Sequence, residues 1–172
     1  GNYRFANSTL TEAGNPLDLL MPSVAGNYEL EYVLNEGRTR VVSVPITVTP
    51  AAATLTIPAS AVAGSTIDVG WTGPDYHRDF IAITPVGGEG NYRFVNTTLT
   101  ENGSPLRLLM PTEPGEYIVE YVEAQDRSAI MTAPITITPA SATITAPTTA
   151  VAGSTIELGW TGPDYHRDFI AV

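Results

Sequence analysis

Residues 66–71 alternate without a break: Ile67, Val69 and Trp71 are apolar, while Thr66, Asp68 and Gly70 are polar or small. A period of two puts one face of an extended segment in a core and the other in water. Seven short runs of this character, rich in β-branched and aromatic residues, lie between residues 50 and 138. They are 54–57, 66–71, 79–84, 91–96, 106–110, 116–123 and 129–138. Clusters of Gly, Pro, Asn and Asp separate them and supply turns. No stretch sustains a 3.6-residue apolar period, so essentially no helix is expected. Seven strands punctuated this often predict a two-sheet antiparallel β-sandwich. Its core-facing set reads Ile67, Val69, Trp71, Ile81, Ile83, Leu106, Leu108, Met110, Tyr117, Val119, Tyr121, Ile135 and Ile137. Pro134 interrupts the last run, and Pro45 holds the same place earlier in the chain. Proline has no ladder donor, so that strand is expected to be an edge or to kink there.

The pattern recurs. GNYRF at 1–5 returns at 90–94 (90 − 1 = 89), and WTGPDYHRDFIA at 71–82 returns at 160–171 with the same shift. PLxLLMP at 16–22 returns at 105–111, and no gap is needed anywhere. An ungapped repeat of one small unit is the mark of an array rather than of a single active site. One copy is complete, at 50–138; residues 1–49 carry the later runs of a unit and residues 139–172 the earlier ones. The joints, around 49–54 and 138–143, are short and contain Pro139 or Pro50, so a semi-rigid connection is expected.

The segment from Glu113 to Tyr117 ahead of the apolar run 118–122, with the WTGPxxxxDFI segment, resembles Ig-like and fibronectin-type-III-like domains appended to secreted bacterial proteins. In such domains a tyrosine at the entry to the sixth strand hydrogen-bonds back to nearby backbone, a "tyrosine corner". The positions matching it are Tyr28 and Tyr117. No Cys…Trp…Cys pattern is present, and Trp71 ends the second run rather than lying in the third, so antibody-type domains are not implied. The resemblance implies an all-β chain of tandem seven-stranded antiparallel Ig-like sandwiches, one complete copy between two complementary half-copies. It also implies an extracellular or cell-surface setting.

Composition narrows the chemistry. The 172 residues carry a net charge of −10, which argues against nucleic acid or anionic membranes as partners. There is no cysteine, hence no disulfide and no thiolate chemistry, and all eight basic residues are arginine, which excludes lysine Schiff bases and lysine cross-links. No window is apolar for long enough to insert in a membrane.

The densest polar cluster is GPDYHRD at 73–79, repeated at 162–168. Asp75, His77, Arg78 and Asp79, with Asp164, His166, Arg167 and Asp168, form the candidate ligand or contact loop. Alternating Asp75, His77 and Asp79 could ligate a metal. Against that stands a plain inter-strand turn in which Asp caps backbone amides, and the turn is the preferred reading. Glu29, Glu31, Glu116, Glu120, Glu123 and Asp126 raise the question of calcium, but they lack a calcium-loop spacing; most read as water-facing partners of buried strand residues, with calcium between domains as the alternative. No serine sits in a nucleophile elbow and no glycine-rich loop opens a helix, so neither enzymatic activity nor a cofactor is expected. Asn7, Asn96 and Asn102 begin glycosylation triplets, read here as chance in a threonine-rich chain.

The half-copies would strand Ile156, Leu158, Trp160, Phe169 and Ile170 without partners. At about 1.5–3 kcal/mol for each buried large side chain, that loss equals the stability of an ordinary domain. Each half is therefore expected to be completed by its counterpart in a neighbouring segment, in a second chain or a longer run of repeats. The expected role is mechanical: a fibre, filament or surface stalk whose partners are copies of itself. The alternative is an extracellular carbohydrate- or protein-binding module using the loop at 75–79 or the turn at 125–127.

Overall fold

The structure, a computed structural model, describes residues 5–88 and 93–172. The chain is essentially all-β and divides into two compact units, Gly1–Ala52 and Ala53–Val172. Helical turns among the described residues are confined to three 3₁₀ turns, Thr11–Ala13, Glu36–Arg38 and Thr100–Asn102.

The first unit is built on a hairpin. Strand β1 (Gly26–Leu34) pairs antiparallel with β2 (Thr39–Val48), from Gly26 opposite Val48 to Leu34 opposite Thr39, with a bulge that leaves Val41 unpaired.

The second unit continues with β3 (Thr54–Thr56), β4 (Ser60–Val62), β5 (Thr66–Thr72), β6 (Phe80–Pro85), β7 (Asn96–Leu99) and β8 (Leu106–Leu109). It then runs through β9 (Gly115–Val122), β10 (Ala129–Thr138), β11 (Thr143–Thr145) and β12 (Gly159–Thr161). One sheet has the order β4-β10-β9-β6-β7, a second has β3-β5-β8, and β11-β12 stand as a two-stranded sheet. The first two share one core, consistent with a β-sandwich: Val69, Leu106 and Leu108 meet Ile81, Ile83, Val119, Tyr121, Ile135 and Ile137. All thirteen residues of the alternating pattern lie in or against that cluster, Ile67 and Trp71 at its margin.

Three features depart from the pattern. The first run, 54–57, appears as Thr54–Thr56 paired with β5, and a strand that no run anticipated follows it: after Pro58 the chain crosses so that Ser60–Val62 pairs with β10 in parallel. The two sheets therefore hold eight strands, one pair of them parallel. The fourth run, expected at 91–96, appears as Asn96–Leu99; residues 91 and 92 lie outside the described residues. Phe94 is not in a strand. It stands edge-on to Phe80, with centroids 5.3 Å apart. The third departure is burial on the face of β6 and β9 that points away from the core. Ala82, Thr84, Glu120 and Val122 are all buried there, and Gly88 lies against the Thr84 methyl.

Pro134 sits where its missing donor does little harm. Thr136 N–H, two residues on and pointing the same way, donates to Ala59 O; β4 meets β10 only at 136–138, so the Pro134 nitrogen faces an open edge.

Candidate functional site

The loop 73–79 joins β5 to β6, and its shape follows from a few residues. Asp75 (φ 53°) and Arg78 (φ 68°) take left-handed backbone conformations. Asp79 N–H donates to Tyr76 O, and Tyr76 N–H donates back to Asp79 Oδ2 at 3.1 Å, closing the turn. Asp79 is only 1% exposed. Its remaining partners come from across the sheet: Tyr121 O–H donates to Oδ2 at 3.1 Å, and Ala124 N–H donates to Oδ1 at 3.0 Å. Three donors satisfy a carboxylate that burial would otherwise penalise heavily. Asp75 N–H in turn donates to the Tyr121 hydroxyl oxygen at 3.0 Å.

Tyr121 is thus the hub between the loop and β9. Its ring meets Trp71 edge-on, with centroids 5.6 Å apart and planes at 62°. Gly73 is required on its other side, because a Cβ there would lie 2.7 Å from the ring. Burial raises the Tyr121 hydroxyl pKa above its ordinary value; the Asp79 carboxylate adds to this, while the bond from Asp75 N–H opposes it.

The other polar residues of the loop point elsewhere. His77 is 86% exposed at its side chain, with Nδ1 3.3 Å from Glu101 Oε1, and Arg78 N–H donates to the same oxygen at 3.2 Å. Asp75, His77 and Asp79 therefore do not converge. No group of three or more His, Cys, Asp or Glu side chains among the described residues is placed to hold a metal ion.

The second loop, at 162–168, repeats the local geometry. Asp164 (φ 54°) and Arg167 (φ 68°) are again left-handed. Tyr165 N–H donates to Asp168 Oδ2 at 2.9 Å, and Asp168 N–H donates to Tyr165 O. Here, however, Asp168 is exposed and so are Asp164, His166 and Arg167 or their neighbours, in place of the closed network around Asp79. A cleft of about 490 Å³ opens beside this loop, lined by Trp160, Gly162, Asp164, Asp168 and Ile170 among others.

Both corner tyrosines bond backwards by four residues: Tyr117 O–H to Glu113 O at 3.0 Å and Tyr28 O–H to Val24 O at 2.7 Å. The acidic residues divide. Glu29 and Glu31 flank Arg40, each at 3.1 Å, and Glu116 accepts from Thr136. Glu120 and Glu123, expected to face water, are buried instead. Glu120 accepts from Thr84 on the covered outer face, and Glu123 lies beneath the turn that ends in Ser128. Burial raises the Glu123 pKa, and the neighbouring charges of Asp126 and Asp79 push it the same way. The side-chain amides of Asn96 and Asn102 donate to Leu109 O and Leu99 O.

The expectation that an Asp of this loop caps backbone amides holds at Asp79, which accepts from Tyr76 and Ala124 N–H, but its pairing with Tyr121 has no counterpart in the sequence analysis, which places the tyrosine in the core and the aspartate in a turn. A signal was available: a tyrosine buried by alternation needs a partner for its hydroxyl, and Asp79 is the acid that directly precedes a core strand. Among the described residues no helix is long and apolar enough to cross a membrane. No protein-family model and no curated protein sequence matches the chain.

Proposed function

We propose that the chain is a segment of an extracellular fibre or surface stalk. It is built of tandem Ig-like sandwiches on the 89-residue repeat, and each half-repeat is completed by the complementary half of a neighbouring segment. The observation that carries this is the agreement of registers. Hairpin β1–β2 reproduces β9–β10 pair for pair: Tyr28 faces Ile46 as Tyr117 faces Ile135, and the bulge at Val41 matches that at Ile130. Likewise β11–β12 reproduces β3–β5, with Ile144 opposite Trp160 as Leu55 is opposite Trp71. Yet every fully buried residue among those described lies between Ala63 and Ile137. The ends carry the strand pairings of the sandwich without its core. Val69 and Ile81 are 0% exposed, while their counterparts Leu158 and Ile170 are 41% and 43% exposed.

A joint of limited flexibility suits a stalk. The Tyr165 ring, in the segment that follows the central sandwich, packs on the Gly64 turn, 3.3 Å from where a Cβ would sit. A polypeptide of several uninterrupted repeats should appear in electron micrographs as thin rods whose length rises linearly with repeat number. Compact or freely jointed particles would count against the stalk.

The exposed tip formed by Tyr76 and His77 favours a second reading, an adhesin-like module for carbohydrate or protein. Glycan-array binding abolished by Asp75→Ala and His77→Ala would support that reading over the stalk. Neither reading assigns the chain a reaction or a cofactor.

A further inference from the structure

We infer that the loop arginines of this chain are set so that a trypsin-like protease cannot cut beside them while the loops are closed. They are guarded by backbone conformation and not by burial. The inference rests on neither the stalk nor the binding module.

Trypsin-like proteases cleave after lysine or arginine, and they take that residue and its neighbours as an extended strand. The chain has no lysine, so its eight arginines are all the sites it offers. Four of them stand exposed on loops, where nicking is ordinarily easiest. These are Arg38 (φ 49°), Arg78 (φ 68°), Arg127 (φ 61°) and Arg167 (φ 68°), and every one is left-handed. An extended strand needs a negative φ, so none of the four can enter such an active site as it stands. Among the described residues, the other positive-φ positions hold glycine, Asp75 or Asp164. Glycine takes this conformation with no Cβ to clash, and aspartate eases it with a short polar side chain. Arginine has neither property, so turn geometry alone does not explain its recurrence there.

The peptide bond that would be cut is also held. After Arg78 it is the bond to Asp79, whose N–H donates to Tyr76 O at 2.9 Å, while Arg78 N–H donates to Glu101 Oε1. After Arg127 it is the bond to Ser128, whose N–H donates to Asp126 Oδ1 at 2.9 Å, while Arg127 N–H donates to Glu123 O. Buried Asp79 ties the two loops together, because it also accepts from Ala124 N–H in the second. Neither arginine becomes extended until its loop opens. Cleavage is then governed by the open population and not by exposure of the side chain.

Two further arginines are extended but already paired. Arg40 lies opposite Val33 in the β1–β2 ladder, and Arg107 lies opposite Asp68, with its carbonyl accepting from Thr98 Oγ1. A protease would have to displace those partners. Arg93 is exposed and is neither left-handed nor in a strand, so cleavage of the folded chain should begin there. Arg4 lies outside the described residues.

The test is limited trypsin digestion of the full chain carrying Ser141→Arg, with each cut followed by mass spectrometry. Position 141 is exposed, outside any strand and not left-handed, so it supplies a reference site on an open segment. Each rate is divided by that of a free peptide of the same local sequence. The bond after position 141 should be cut at nearly the peptide rate, and those after Arg78 and Arg127 about a hundredfold more slowly or slower still. Hydrogen exchange at the Asp79 and Ser128 amides measures how often the two loops open, and the slowing at each arginine should match that protection. Cuts after Arg78 or Arg127 within about tenfold of position 141, or faster than the loop opens, would overturn the inference. Either result leaves the stalk where it stands, since assembly does not enter the measurement.

Discussion

Tyr121 on β9 and Asp79 just ahead of β6 are joined by a 3.1 Å hydrogen bond between two buried side chains. The bond fastens the β5–β6 loop to the sheet, and each partner supplies what the other needs. The hydroxyl finds an acceptor inside the core, and the carboxylate gains one of its donors. Tyr121→Phe removes that donor and also the acceptor used by Asp75 N–H. The expected loss is about 1–3 kcal/mol of stability by chemical denaturation. Asp79→Ala, which orphans Tyr121 O–H and the Tyr76 and Ala124 amides together, should cost more than Tyr121→Phe. Equal, negligible losses would show that the bond does not fasten the loop.

Glu123 gives the fold a pH dependence of definite sign. Its folded-state pKa is raised, first by burial and then by Asp126 and Asp79. An acid with a raised folded pKa binds its proton more tightly in the native state. Its stabilising contribution is therefore full below the unfolded pKa and is lost as pH rises through the folded one. Stability should fall as pH climbs from the ordinary carboxylate value of 4.5 through that raised pKa. Glu123→Gln should flatten this slope in denaturation curves taken at a series of pH values. An unchanged slope would exclude Glu123 as its source.

Gly64 has φ +76° and carries the Tyr165 ring close above it. Gly64→Ala strains a left-handed turn and presses on that ring, and should cost about 1 kcal/mol or more in melting of the central sandwich. Tyr165→Ala, by contrast, should leave that melting unchanged and loosen the joint, read as a broader spread of bend angles in micrographs of uninterrupted repeats.

Much of the sandwich was legible because alternation and burial share a cause. Val69, Leu108, Ile81 and Tyr121 stand out in the pattern since each strand has one face in the core. What the pattern missed are places where that one-face logic fails. Ser60–Val62 is too short to stand out as a run of its own, and the change of sheet after Pro58 is one that no periodicity records. Glu120 lies on a second buried face, the outer side of β6 and β9, and half-buried Phe94 packs on Phe80 of that side without joining a strand, so neither follows the rule of one buried face per strand. In the candidate loop the residues were visible but their directions were not. Asp79 turns inward to donors that lie far along the chain, Tyr121 O–H 42 positions away and Ala124 N–H 45 positions away.

The 89-residue repeat is proposed to be the folding unit, so Leu158 and Ile170, half-exposed here, hold the places of the fully buried Val69 and Ile81. Hydrogen exchange on a polypeptide of several uninterrupted repeats measures this. The amides of the segments around Leu158 and Ile170 should be protected to the same degree as those around Val69 and Ile81. Free exchange at Leu158 and Ile170 beside protected Val69 and Ile81 would show that the repeat is not the folding unit.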